Sequence, residues 1–404
     1  MLKKLAIFCA LLSALALHAV DGALLATLAV NISDQIANVP PHRHLHIPAC
    51  RQVTYGQKCF LRFAVLNPKV TEGKINIAAT LKQIAPDNSE KVIFKDLQVL
   101  NTEHTGKGVI ISPVSVTMQM EPQDPAGVYR FQLTLTDRND GNKTFTAKEI
   151  DITLKSNTDD LSPMDKKEFD QFFENYYRSP KPERVLAAFE CIMKLDAQMR
   201  QEKNRKYQPE ILLCHLAEVL KISPHLQVPF AKKYGRVKGD FNRVYIAWLV
   251  RSCGGEKAML PHLSPEIQRY LKLLGDRNPL AVTDVDNGLA MDLLWAKFFA
   301  TGKYEPVKLL INEMRQREMM TPEAAKKKDK LNDKEKQAVM NFALCAAAYW
   351  SFGSNLGKGH NLLGFYAENM FMKRTLPDKH AGALLISIFK NLQKKQQQQK
   401  KQQK

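Results

Sequence analysis

Ser156-Asn-Thr-Asp-Asp-Leu-Ser162-Pro163 is where the hydrophobic period of this chain changes. Ahead of it, from about Lys58 to Leu154, apolar and polar residues alternate, as they do in strands with one buried face. Lys74-Ile-Asn-Ile-Ala-Ala-Thr-Leu and Val128-Tyr-Arg-Phe-Gln-Leu-Thr-Leu-Thr are examples. Val109-Ile-Ile and Val114-Ser-Val-Thr-Met-Gln-Met read as two more strands, Thr144 to Leu154 as the last, and Asp140-Gly141 marks the final hairpin. Six or seven short strands with no helices between them predict an antiparallel sandwich. Past Ser162, an N-cap with Pro163 at the first helical position, the period becomes 3.6. Ten helices are expected, over about 163–177, 181–203, 208–222, 239–252, 264–274, 286–301, 304–318, 331–352, 360–373 and 376–395. The fold class is α+β multidomain.

Outward from this switch, Met1-Leu2-Lys3-Lys4 precedes an apolar run, Leu5 to Leu17, that closes in small residues and Asp21-Gly22. Positive charge, a short apolar run and small residues make a Sec signal peptide, and the run is too short to cross a bilayer. Cleavage is expected after Ala19 or Gly22. The divisions are a signal peptide at 1–22, an N-terminal extension at 23–44 and a β-sandwich at 45–155. A linker at 156–162, a helical domain at 163–392 and a Lys/Gln-rich tail at 393–404 follow. No second run is long enough for a membrane anchor.

The net charge is +18, and residues 156–404 hold 42 Lys and Arg against 28 Asp and Glu. The basic field therefore belongs to the helical half. It favours anionic partners, either an acidic protein or an anionic surface component. Export argues against genomic nucleic acid as that partner.

Two resemblances attach to these stretches. Asp124-Pro-Ala-Gly-Val-Tyr-Arg-Phe-Gln-Leu resembles the hairpin that leads into the penultimate strand of bacterial Ig-like domains. Leu289-Ala-Met-Asp-Leu-Leu-Trp295 through Gly302-Lys-Tyr304-Glu-Pro-Val307 resembles one tetratricopeptide unit, an aromatic helix, a Gly-x-Tyr turn and an apolar-striped second helix. With Ala347-Ala-Tyr-Trp-Ser-Phe-Gly-Ser-Asn it is similar to exported bacterial helical proteins with no assigned activity. The resemblances imply an Ig-like sandwich followed by a helical-repeat-like domain whose paired helices form a concave surface for protein ligands.

The candidate chemistry is sparse. His42, His44 and His46 alternate between prolines, so an extended backbone would put three imidazoles on one side, a start for a Zn or Cu site. Cys50 and Cys59 bracket a polar, Gly-containing stretch that suits a disulfide in an oxidising compartment. Lys232, Lys233, Tyr234, Arg236, Lys238 and Arg243, interleaved with Phe241 and Tyr245, form the best anion- or partner-binding cluster. Gly353-Ser-Asn-Leu-Gly357-Lys358-Gly359 has the wrong spacing for a phosphate loop and reads as a helix end. Asp284-Val-Asp286-Asn-Gly288 fails as a calcium loop because its twelfth residue is Trp295; Asp286 reads as an N-cap. No His-Glu-x-x-His, Gly-x-Ser-x-Gly, Cys-x-x-Cys or Gly-x-Gly-x-x-Gly occurs, and no cofactor is expected. The expectation is an exported, periplasmic or secreted, non-enzymatic binding protein, with a secreted hydrolase of unknown substrate as the alternative.

Overall fold

The structure is a computed structural model. It describes residues 20–103, 108–146, 149–155, 162–202, 208–282, 284–316 and 331–402, with side chains as far as Gln399. The signal peptide up to residue 19 and the linker up to residue 161 lie outside the described residues. The architecture is α+β. One compact unit takes the chain up to Leu28 and again from Pro48 to Thr158; a second takes Ala29–Ile47 and everything from Asp159 onward.

The first unit is built from β1 (Asp21–Thr27), β2 (Gln52–Thr54), β3 (Lys58–Leu66), β4 (Lys74–Ile84), β5 (Glu90–Glu103), β6 (Val109–Gln119), β7 (Gly127–Asp137), β8 (Lys143–Thr146) and β9 (Ile150–Lys155). They form a three-stranded sheet, β1-β3-β6, and a second sheet in the order β2-β9-β7-β4-β5, with β8 also on β7. All pairings are antiparallel except β2 with β9, which is parallel. The alternation seen in the sequence decides which face is buried. Ile75, Ile77 and Leu81 of β4 and Phe131, Leu133 and Leu135 of β7 are at most 1% exposed, packed in one core with Leu61, Phe63 and Val65 of β3. Each such side chain contributes about 1.5–3 kcal/mol by leaving water.

The two strands expected around Pro113 are one, β6. It is an edge strand, where the missing proline N–H costs no ladder bond. Conversely, the run from Thr144 to Leu154 divides into β8 and β9, which pair with different parts of β7. At the turn before β7, the buried Tyr129 hydroxyl donates to the Pro125 carbonyl at 2.9 Å, closing Asp124-Pro-Ala-Gly over its own strand.

The helical unit comprises α1 (Ile32–Asn38), α2 (Lys166–Asn175), α3 (Val185–Gln201), α4 (Pro209–Ile222), α5 (Gln227–Tyr234), α6 (Asp240–Cys253) and α7 (Glu256–Met259). After them come α8 (Pro265–Leu274), α9 (Gly288–Thr301), α10 (Tyr304–Asn312), α11 (Asp333–Gly357), α12 (Asn361–Met372) and α13 (Lys379–Gln402). The first long helix starts later than Ser162-Pro163 suggests. Asp165 is its N-cap, accepting from the Glu168 amide at 2.7 Å, and the Ser162 hydroxyl instead accepts from buried Arg184 at 3.0 Å. Similarly, Asn287 and not Asp286 caps α9, accepting from the Ala290 amide.

Helix α9 organises this unit. Its sequence is apolar nearly all round, which is tolerable only for a helix covered on every side. Leu293, Ala296 and Ala300 enter one core with α2–α8, while Met291, Leu294, Trp295 and Phe298 enter a second core with α10–α13.

The N-terminal extension at 23–44 is not a separate segment. Asp21–Thr27 pairs along its whole length with β3, and residues from Ala29 to Ile47 form a strap on the helical unit. Apolar anchors and buried polar bonds explain the strap. Val39 and Leu45 join the second core, and the Asp34 carboxylate accepts from the Tyr304 amide at 3.2 Å. Asn31 and Tyr366 side chains both donate to the Gly302 carbonyl, at 3.1 and 2.9 Å. The Lys/Gln-rich tail also continues an element: α13 runs through it to Gln402.

Candidate functional site

Three helices at the C-terminal end, α11, α12 and α13, enclose an open groove of about 1310 Å³. Glycines lie at their contacts, with room for a methyl at two of them. Gly353 and Gly357, one turn apart on α11, face Ile388 and Leu392 of α13; an added Cβ would sit 3.6 and 3.4 Å from them. Gly364 of α12 plays the same part against Leu356 and Phe389. The glycine-rich run that superficially suggests a phosphate loop is therefore a helix-packing face that ends at Gly357, as its reading as a helix end implied.

The groove has an apolar floor that includes Phe365, Phe389 and Leu392. Trp350, Met372 and Ile386 stand at its lip, 73%, 56% and 46% exposed. Scattered exposed apolar residues are ordinary, but several of them around one groove, a largely bare tryptophan included, point to an interaction surface. One wall is the tail: Gln393, Lys395, Gln396 and Gln399 of α13 line it.

Among the described residues, Glu368 is the one carboxylate in the lining. It accepts from Arg43 Nε at 2.8 Å and lies 2.9 Å from His42 Nε2. Burial works to raise its pKa, but the bonds from Arg43 and His42 outweigh burial and hold it below the usual glutamate value. The Arg43 guanidinium, whose own pKa is raised chiefly by its bond to Glu368, also lies over the Phe365 ring at 5.4 Å. Glu368 thus anchors the strap and is not poised to move a proton.

The alternating histidines are spread over separate partners. His42 meets Glu368, His44 is exposed, and His46 Nε2 lies 3.2 Å from the Arg178 carbonyl. The His46 backbone exchanges two bonds with the Gln35 amide. Among the described residues no group of three or more His, Cys, Asp or Glu gathers as metal ligands. The spacing places these histidines along the strap instead of around one point.

The cationic cluster is also divided. Tyr234 is buried, its hydroxyl donating to the Leu186 carbonyl at 2.7 Å. Lys233 is 2.6 Å from Glu190, whose pKa it lowers, and Arg243 is 3.2 Å from Asp240. The Arg200 guanidinium lies over the Phe241 ring, 3.4 Å from its centroid, leaving Phe241 56% exposed, and Tyr245 is buried against Asp196. Lys232, Arg236 and Lys238 remain exposed, and with Tyr234 and Tyr245 buried Phe241 alone of the interleaved aromatics is left beside them, already under Arg200.

Cys50 and Cys59 are both buried in the strand unit and unbridged, the Cys59 thiol hydrogen-bonded to Cys50. That bond first, and burial second, raise the Cys59 pKa far above the ordinary thiol value. In an oxidising compartment the pair is expected to close, contributing about 2–3 kcal/mol for a loop of this size. Mass spectrometry of native protein without reductant should show the linked peptide; two free thiols there would rule the bridge out.

No family model and no curated protein matches this chain. Among solved structures, a Niemann-Pick type C2 protein from Japanese carpenter ant is similar at 11% identity and a TM-score of 0.20. The likeness covers 33% of this chain and 92% of that one. A family 123 glycoside hydrolase from Clostridium perfringens is similar at 9% identity and a TM-score of 0.23, covering 45% of this chain and 36% of that one. Likenesses this low say nothing about the groove.

Proposed function

We propose that this is an exported, non-enzymatic binding protein that holds a partner in the groove of α11–α13. The observation that carries the reading is Trp350. A tryptophan 73% exposed at the lip of an apolar groove is the kind of side chain that dominates binding energy when a partner covers it. Glu368, spent on Arg43 and His42, gives this groove no unengaged carboxylate for hydrolysis. Export through Sec to the periplasm or the exterior rests on the Lys3-Lys4 and Leu5–Leu17 pattern. Cleavage after Ala19 fits best, because β1 starts at Asp21 and a cut after Gly22 would remove paired residues.

The same proposal takes the strand unit as Ig-like. The strand order β1-β3-β6 against β9-β7-β4, together with the Tyr129 hydroxyl folded back onto Pro125 at the start of β7, supports it. The helical-repeat reading is supported by the single α9–Gly302–α10 pair. The test replaces Trp350, Met372 and Ile386 together with serine and compares retention of native-compartment components with the unaltered protein. At least tenfold weaker retention is expected. Equal retention, with loss on neutralising Lys232, Arg236 and Lys238 instead, would move the site to that cluster.

A further inference from the structure

We infer that the occupant of this groove is an acidic amphipathic helix of a partner protein, about four turns long; the inference rests on the binding reading above. Length comes first. The wall formed by α13 runs from Ile386 to Gln399, which at 1.5 Å per residue is roughly 20 Å, or about four helical turns. The volume of about 1310 Å³ exceeds the ~300–1,000 Å³ of clefts built for small ligands.

Charge supplies the sign. Helix α13 carries six lysines and no Asp or Glu, Lys395 lines the wall, and Glu368 is neutralised by Arg43 and His42. A field of this kind draws carboxylates and repels cations. It disfavours a second copy of this chain, which carries +18 itself.

The polar wall separates a peptide from an acyl chain. Gln393, Gln396 and Gln399 repeat every three residues along α13, presenting amide donors and acceptors beside the apolar floor. Facing only hydrocarbon, those amides would lose their water without replacement, at about 1–3 kcal/mol for each buried group left unmade. A helix laid in the groove offers both surfaces they need, apolar side chains at i, i+3, i+4 and i+7 for the floor and glutamates for the rim.

The test uses the full-length mature protein and a labelled 16-residue peptide of Leu, Ala and Glu with that apolar spacing. Three other probes are the same peptide scrambled, its Glu-to-Lys counterpart, and vesicles of phosphatidylglycerol and phosphatidylcholine. The acidic amphipathic peptide should bind at least tenfold more tightly than either altered peptide. Trp350→Ala should weaken it at least tenfold with an unchanged far-ultraviolet circular dichroism spectrum, and Lys394→Glu/Lys395→Glu should weaken it further at low salt than at high salt. Equal binding of the scrambled or lysine peptide, or no binding of any peptide, overturns the inference. Vesicle binding that depends on Trp350, with no peptide binding, also overturns it while leaving the groove as the binding site. If Trp350→Ala alters no probe at all, the groove reading fails with it.

Discussion

Gly302→Ala should destabilise the helical unit by about 2–5 kcal/mol. Gly302 ends α9 in the left-handed region, at φ 63°, where a residue with a Cβ costs about 1–2 kcal/mol. The new methyl would also run into the Asn31 amide, and would lie 2.7 Å from Tyr177 Cδ2. Such overpacking adds about 1–3 kcal/mol. Because Asn31 is held by the Gly302 carbonyl, relief requires the strap to lift. The expected result is a lowered urea midpoint together with faster proteolysis between Ala29 and Ile47. A stability within about 0.5 kcal/mol of the parent would mean that the strap does not depend on this turn.

Acid should unfold the helical unit well before it unfolds the strand unit. His215 is 1% exposed among the rings of Phe172, Phe173 and Tyr176, and burial drives its pKa down to about 3. Burial likewise lowers His225 to about 4. His360, 2% exposed, falls to about 4 through burial first and then the nearby charges of Arg178 and Lys358. In the unfolded chain each imidazole takes its proton near pH 6.5. Between pH 6.5 and the folded values, the unfolded state binds more protons than the folded one, so stability falls as pH falls. At about 1.4 kcal/mol per unit, His215 and His360 each account for a loss on the order of 3–5 kcal/mol, complete once pH reaches the folded value. That is comparable with the whole stability of an ordinary domain. Urea titrations followed by the helical signal should show a steep fall from pH 6.5 to 4, reduced in His215→Phe. A flat profile over that range would mean these histidines gain their protons without cost in the fold.

Residues with one dominant influence were legible in the sequence. Alternation named the inner faces of β4 and β7, and the 3.6 period located α4, α8 and α12 to within a few residues, because burial of one face overrides everything else there. Other features depend on distant partners. Asp21–Thr27 forms a strand only because β3 offers it an edge, and in the sequence its apolar residues are continuous with the Leu5–Leu17 run. Pro40-Pro41-His42-Arg43-His44-Leu45-His46 carries no trace of Glu368 and Arg178, the groups that use its histidines. The cluster at Lys232–Arg243 loses Tyr234 and Tyr245 because they serve buried partners on α3, while the exposed Phe241 is engaged by Arg200.

The groove was partly visible. In α11, Met340, Phe342 and Trp350 extend apolar character beyond the stripe buried at Leu344, Ala348 and Phe352. An amphipathic helix with apolar residues to spare has a second surface to cover. What could not be read was that α13 would pack along α11 and α12 to enclose that surface, or that a low-complexity tail would become its wall.

The most direct measurement places a photo-crosslinking amino acid at Trp350 or Ile386 in the native compartment, with the exposed Leu273 of α8 as the control position. Discrete adducts of one partner at both groove positions and none at Leu273 are predicted. Adducts at Leu273 with none at either groove position would contradict the account.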